Sequence, residues 1–391
     1  MDAVARQHIP LAAEQPPPAP SIPVGRPLRV VIVLPPGSRF DALRPTSIET
    51  VVRSMGVHSA DRKTLTVICD EGGDRGQDLT TLAIGPERSP DKRARIVARQ
   101  IERLQPDLVE VHQHMPSAAA LAKRLRNIPV VLYRHNLLPR AGNPLKRWRH
   151  RRRAALFDRH LFVSEIGRAQ FVEHYPHLSH RAVSITNAID TVEWAAPVRG
   201  RAPLIAFAGR AAPEKGLEPL CRALATTLDA APDWRVELAV SDWPVHQTWS
   251  ETQIAPLARF GDRVTIVRNA PHDAVRRLFQ QAAIVVIPSM WREPFGLVAI
   301  EAHAAGAAVL SSGLGGLEEA SGGHALVVAP DVEFANRLSD GLLWLASHAP
   351  EREALAARGQ DYAALAHDSR DRARQLDNLR RHIVDDGKAR A

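Results

Sequence analysis

Two consecutive doubly wound α/β domains facing a shared cleft, closed by C-terminal helices, are what this sequence predicts. Three observations carry it. The chain has 391 residues, more than one hydrophobic core usually organises. Short, continuously apolar, β-branched runs alternate with helical stretches, as parallel strands covered on both faces require. That alternation occurs as two sets, one after the other, and stops near Asp331, beyond which the chain is helical in character and rich in Arg, Ala and Leu.

The first set of expected strands is LRVVIVL, TLTVICD, DLVEVH, PVVLYRH, RHLFVS and AVSIT, from Leu28 onward. The second is PLIAFAG, WRVELAV, DRVTIV, AIVVIPS, AAVLSS and HALVV. A polar, proline-containing stretch from Val192 to Pro203 separates them. The expected division is residues 1–26 as a flexible tail, 27–195 as the first α/β domain and 196–365 as the second, with 366–391 a helix packing back on the first. Two such domains place the carboxyl ends of both sheets against one cleft, where open α/β sheets bind ligands.

Composition narrows the classes. Hydrophobic residues make up 45% and charged residues 24%, a globular profile. The most apolar stretch, LVAIEAHAAGAAVL, is broken by Glu301 and His303, so no membrane span is expected. The opening segment has no continuous apolar core of a signal peptide, and the expectation is a cytoplasmic protein. Cys69 and Cys221 read as buried free thiols rather than a disulfide framework. The net charge of +8 points to an anionic partner, with nucleotide phosphates, nucleic acid and acidic lipid all compatible.

The strongest local signal is SMWREPFGLVAIEAHAAGAAVLSS, residues 289–312, which reads as loop, helix and strand following AIVVIP. The helix is expected to start near Phe295 to Leu297, its free amides facing the cleft and attracting anions. Glu293 precedes it and Glu301 lies within it, so the two carboxylates can reach different parts of one ligand, a ribose diol and sugar hydroxyls. The second signal is AFAGRAAPEKGLEPL, residues 206–220. Arg210 and Lys215 there flank a turn at a strand's carboxyl end, where two cations can neutralise a diphosphate leaving group.

These segments resemble the nucleotide-sugar site of the family-4 retaining glycosyltransferases, which have the GT-B fold of two Rossmann-like domains. The resemblance rests on Glu-x7-Glu at Glu293 and Glu301, the EPFG loop, the AHAAGAAVLSS tail and the Gly-Arg...Glu-Lys-Gly turn, with weaker similarity in VVLYRHN, LFVSEIGRAQFV and ITNAIDTVEW. It implies transfer of a hexose with retention from a nucleotide-diphosphate sugar to a glycan or lipid-linked acceptor, in bacterial surface polysaccharide or lipopolysaccharide synthesis. It further implies that Arg210 and Lys215 hold the diphosphate, Glu301 the ribose and Glu293 the transferred sugar, assisted by amides of Phe295, Gly296 and Leu297. His135 matches the family's sugar-facing histidine. Where many members have a glycine pair after the first strand, this chain has Leu34-Pro35-Pro36-Gly37, leaving Gly37 for close approach of the donor. Asn187-Ala188 replaces the usual Asn-Gly. The implied mechanism is front-face attack with the leaving phosphate as base. No strand-terminal Asp-x-Asp is present, so neither metal nor cofactor is expected.

The run PLKRWRHRRRAALFDRH, residues 144–160, is either a solvated helix face or a contact for acceptor or anionic membrane. Lys146, Arg147, Arg149, Arg151, Arg152 and Arg153 supply charge for the second reading. Trp148, Leu145, Leu156 and Phe157 supply shallow insertion, which would put the protein on the inner face of a membrane. Rival readings are a nucleotide-sugar epimerase of the same fold and a basic nucleic-acid-binding protein, the latter without a recognised reader motif. A dehydrogenase lacks its Gly-x-Gly-x-x-Gly after any strand.

Overall fold

The computed structural model describes residues 26–42, 45–72, 78–139 and 142–388; the expected tail lies almost wholly outside them. The first half is a seven-stranded sheet in the order β3-β2-β1-β4-β5-β6-β7. Its strands are β1 (Val30–Val33), β2 (Leu65–Cys69), β3 (Thr80–Ala83), β4 (Leu108–His112), β5 (Val130–Arg134), β6 (Arg159–Phe162) and β7 (Ala182–Ser184). The second half is a six-stranded sheet in the order β10-β9-β8-β11-β12-β13. It comprises β8 (Leu204–Arg210), β9 (Arg235–Ser241), β10 (Val264–Arg268), β11 (Ile284–Ile287), β12 (Ala308–Ser311) and β13 (Leu326–Val327). All recorded ladders are parallel.

The central strands β1, β4, β11 and β12 are buried at every residue, which is why their sequences run apolar without alternation. All twelve expected strands form. The unforeseen one, β3, is an edge strand with three of its four residues exposed, so it carries no apolar run to announce it. In each sheet the order reverses beside the first strand, β1 or β8, creating the crevice at the carboxyl ends of the strands where ligands bind.

Three helices, Phe334–Ser347, Ala349–His367 and Ser369–Lys388, follow the second sheet. The chain crosses between the halves twice, side by side, with Ile189 N–H donating to the His367 carbonyl and Ser369 N–H to the Ile189 carbonyl. The last helix lies on the first half. Arg380, 2% exposed, donates to both Glu110 oxygens at 2.8 and 2.7 Å and to Asp377 at 3.0 Å. Asp377 in turn accepts from the Ser59 hydroxyl at 2.8 Å, and Arg381 reaches Asp61 at 2.9 Å. Burial alone would raise the Glu110 carboxyl, but the Arg380 guanidinium holds it down at about 2.

Cys69 and Cys221 are buried and unpaired. Burial pushes their thiols up to about 11 and about 12, far from the thiolate form that reacts. No helix among the described residues is long and apolar enough to cross a membrane.

Candidate active site

A cavity of about 250 Å³ opens between the two sheets. The second half contributes the end of β8 from Phe207 to Arg210, Lys215, and the segment that runs from Ile287 through Glu293 to Val298. Ser47, Ile48, His135, Asn136, Val163 and Asn187 face it from the first half.

Lys215 and Glu293 come from motifs 78 residues apart and meet directly. The Lys215 Nζ donates to Glu293 Oε1 at 2.6 Å, and the Ser289 hydroxyl donates to the same oxygen at 2.7 Å. The side chains are 21% and 9% exposed, so this is a largely desolvated pair that holds each partner in place. Gly216 makes the approach possible. Its φ is +75°, and a Cβ there would lie 1.9 Å from the Pro288 carbonyl oxygen, so only glycine lets the Lys215 turn reach the Pro288–Glu293 segment. Lys215 Nζ also lies 5.5 Å from the centre of the Trp291 ring. Arg210, more exposed, pairs with Glu214 at 2.7 Å.

The helix Leu297–Ala304 begins at the cavity wall. No side chain caps it, and Gly296 precedes it with φ of 116°. Its first amides are therefore open to an anion, reinforced by the helix dipole. Phe295 contributes only backbone here, because its ring is 1% exposed and packs edge-on against His367.

Across the cleft, His135 Nε2 lies 2.9 Å from His112 Nδ1, and the two rings stack with Tyr133. Burial, and then His112, pushes His135 well below its ordinary value, and burial does the same for His112. Both are neutral near pH 7. The ionised Glu110 carboxylate, which can only accept, lies 4.0 Å from His112 Nε2. That separation is beyond hydrogen-bond reach and leaves His112 Nε2 without a hydrogen-bond partner among the described residues, but the carboxylate's charge favours the proton on that side. In that tautomer Nδ1 accepts from His135 Nε2 and His135 Nδ1 is left as an acceptor. The arrangement is held from behind by the Glu110–Arg380 pair, so the C-terminal helix supports the cleft at one remove.

Residues 48–193 match the family described as "Glycosyltransferase Family 4", and residues 189–362 match "Glycosyl transferases group 1". The chain belongs to the family-4 glycosyltransferases. Alpha-maltose-1-phosphate synthase of Mycolicibacterium smegmatis is 29% identical over 238 residues, 54% of this chain and 60% of that one. D-inositol 3-phosphate glycosyltransferase of Streptomyces avermitilis is 41% identical over 120 residues, 28% of this chain and 25% of that one. The matched regions thus span less than two thirds of these relatives. The fold is GT-B. Sucrose-phosphate synthase from Thermosynechococcus elongatus superposes with a TM-score of 0.74 at 17% identity, covering 92% of this chain and all of that one. HepE of Anabaena in complex with UDP and glucose gives 0.72 at 16% identity, covering 90% and 99%.

Within this glycosyltransferase, Arg210, Lys215, Glu293, Phe295, Gly296, Leu297 and His135 converge on one cavity, while two other expected donor contacts stand apart from its walls. Glu301 accepts from His272 Nε2 at 3.0 Å. Burial pulls His272 down, but the Glu301 carboxylate outweighs it and leaves the imidazole above its ordinary value. Gly37 has φ of +85° with open space around it, yet its amide is engaged by Asp70 Oδ2 at 2.7 Å. Ala188 is absent from the positive-φ positions, so the replaced glycine leaves no left-handed turn.

The basic run forms the helix Pro144–Ala154. Leu145 and Trp148 are 62% and 52% exposed, but Phe157 is fully buried with Leu156 packed in the same core. The chain turns inward after Ala154, so Phe157 and Leu156 cannot insert into a membrane. Sequence reasoning did not single out His112, Ser289 or Trp291, nor Ser47 on the far wall. Asn136 and Asn187 stood inside the weakly similar VVLYRHN and ITNAID segments. Asn187 lines the cavity, and its Oδ1 is buried without a hydrogen-bond partner among the described residues.

Proposed function

We propose that this glycosyltransferase moves a hexose, with retention and without a metal ion, from a nucleoside-diphosphate sugar to a glycan or lipid-linked acceptor in bacterial surface polysaccharide or lipopolysaccharide synthesis. The observation that carries the reading is the convergence of Arg210, Lys215, Glu293 and the uncapped start of the helix Leu297–Ala304 on one cavity facing His135. Solved neighbours that hold UDP and UDP-glucose support a nucleotide sugar as donor.

In this reading Arg210, Lys215 and the helix amides take the growing charge of the diphosphate as the bond from the anomeric carbon to the phosphate oxygen breaks. The acceptor oxygen attacks from the same face, and its proton passes to the departing phosphate. Retention is supported by the walls of the cavity: among the described lining residues Glu293 is the only carboxylate, and its Oε1 is committed to Lys215 and Ser289. The pair His135–His112 is too weakly basic to serve as base, and His135 Nδ1 instead accepts from a sugar hydroxyl. In this reading the two cations fill the electrostatic role that a metal ion would otherwise take at the diphosphate. Glu301, seated by His272, holds the ribose as the donor settles.

The test is sugar incorporation into acceptor against interconversion of free nucleotide sugars. Transfer supports the reading. Interconversion alone identifies an epimerase and refutes it. The helix Pro144–Ala154 carries six Lys and Arg residues and no acid, with Trp148 exposed, which favours a peripheral contact with anionic membrane. Replacing Arg151, Arg152 and Arg153 with Ser is expected to release the protein from anionic vesicles, and equal sedimentation of both proteins would refute that contact.

A further inference from the structure

Arg134 ends β5, one residue before His135, and its side chain goes to the opposite face of the sheet. It is half-buried, lying 5.5 and 5.9 Å from the centres of the Phe171 and Phe162 rings. Its one polar partner among the described residues is a neutral imidazole, His160, at 3.4 Å. His160 is 0% exposed and its Nε2 donates to the Ala154 carbonyl, so its Nδ1 can only accept. Burial pulls the Arg134 guanidinium down to about 10. A half-buried guanidinium whose one partner is neutral is stabilised when an anion is brought beside it.

The surroundings are arranged for one. Lys146, Arg149, His150 and Arg153 recur at three- and four-residue spacing and form one face of the helix Pro144–Ala154. All four line a cavity of about 450 Å³ together with Leu138, Pro139 and Tyr175. His150 and Tyr175 are close enough to Arg134 to feel its charge. None of Lys146, Arg149 and Arg153 forms an ion pair with a carboxylate among the described residues, although ion pairs are frequent elsewhere in the chain. Three cations therefore line one cavity that has no acid among its described lining residues, and Arg134 adds its charge from beside it.

We propose that Lys146, Arg149 and Arg153, with Arg134 adding its charge from beside them, form an anion subsite that takes a phosphate group of the acceptor. The subsite rests on the reading that the acceptor docks on the first sheet's side of the cleft. Asn136 lines the cleft and Pro139 lines this cavity, and three residues of extended chain span at most about 10 Å. The cavity therefore adjoins the cleft, which suits an acceptor that carries a phosphate away from its reacting hydroxyl. Two other cations of the helix look elsewhere, since Arg147 and Arg151 line a separate cavity with Trp148 and His177.

The test is calorimetric titration of inorganic phosphate into the full chain, into Arg134→Gln, into the surface double variant Arg149→Gln/Arg153→Gln, and into Arg210→Gln. The expected result is saturable binding that weakens at least tenfold in the first two variants and survives in Arg210→Gln. The double variant decides the matter if Arg134→Gln fails to fold. Absence of saturable binding, equal affinity in all proteins, or loss confined to Arg210→Gln overturns the subsite. Adding phosphatidylglycerol vesicles separates the sources: competition with phosphate identifies a lipid headgroup, and no competition a soluble ester, either of which retains the subsite. Sugar transfer with no phosphate binding sinks the subsite alone. Phosphate binding without transfer sinks the functional reading and leaves the subsite standing.

Discussion

Replacing Glu293 with Gln separates catalysis from stability at one atom. The Glu293 Oε1 accepts from Lys215 at 2.6 Å and from Ser289 at 2.7 Å. The amide oxygen of Gln can still accept from both, so the geometry is retained and only the charge is removed. A hydrogen bond to a charged group contributes about 1.5–3 kcal/mol and a neutral one about 0.5–1.5, so the folded state loses about 1–1.5 kcal/mol. For domains of this size that lowers Tm by roughly 2–6 °C. Turnover responds more strongly, because a group engaged as charge develops is typically worth 10²–10³ in kcat, about 2.7–4 kcal/mol. The assay is nucleoside-diphosphate release at saturating donor, with Tm read on the same preparation. Turnover within threefold of wild type would refute Glu293 as the sugar-contacting residue. A collapse of Tm beyond about 10 °C would show that its role is structural.

Other outcomes follow from the same geometry. Arg210→Ala and Lys215→Ala should each weaken donor binding and lower kcat, and the double variant should lose less than the sum, since both act on one diphosphate; full activity in the double variant removes the clamp, while EDTA should leave wild-type activity intact. Gly216→Ala must place a Cβ 1.9 Å from the Pro288 oxygen at φ of +75°, so calorimetry should show a loss of about 2 kcal/mol or more, and an unchanged Tm would contradict that contact. The Glu110 carboxyl is depressed to about 2 in the folded chain against about 4.3 when unfolded. Its contribution is therefore complete above the unfolded value and lost as pH falls from about 4.3 toward 2. Glu110→Gln should flatten acid unfolding in that window and destabilise the protein near neutrality by about 3–5 kcal/mol; an unaltered acid transition counts against it.

The layered fold was legible because the central strands are buried on both faces and their sequences say so continuously. The edge strand Thr80–Ala83, solvated along its length, gives no such signal. Each half of the site was legible locally, as charged residues beside a turn or a helix start. Their meeting was not: Lys215 and Glu293 are brought together by Gly216 passing Pro288, a contact no periodicity encodes. Glu301 likewise finds His272 from another helix. Arg380 braces the Glu110–His112–His135 series from 270 residues away, which only the return of the last helix explains. In the basic run, apolar residues after Ala154 looked continuous with the exposed face, but Phe157 belongs to the core beneath it.

The central claim is that the cavity between the sheets binds a nucleoside-diphosphate sugar through Arg210 and Lys215, and thermal shift with UDP-, GDP- and ADP-sugars tests it most directly. A ligand bound only by the folded chain stabilises it by about 2.7 kcal/mol at a hundredfold excess over Kd. One of the three series should raise Tm in the wild type, and that rise should shrink sharply in Arg210→Ala and in Lys215→Ala. No shift with any nucleotide sugar, or an equal shift in the wild type and both variants, would contradict the account.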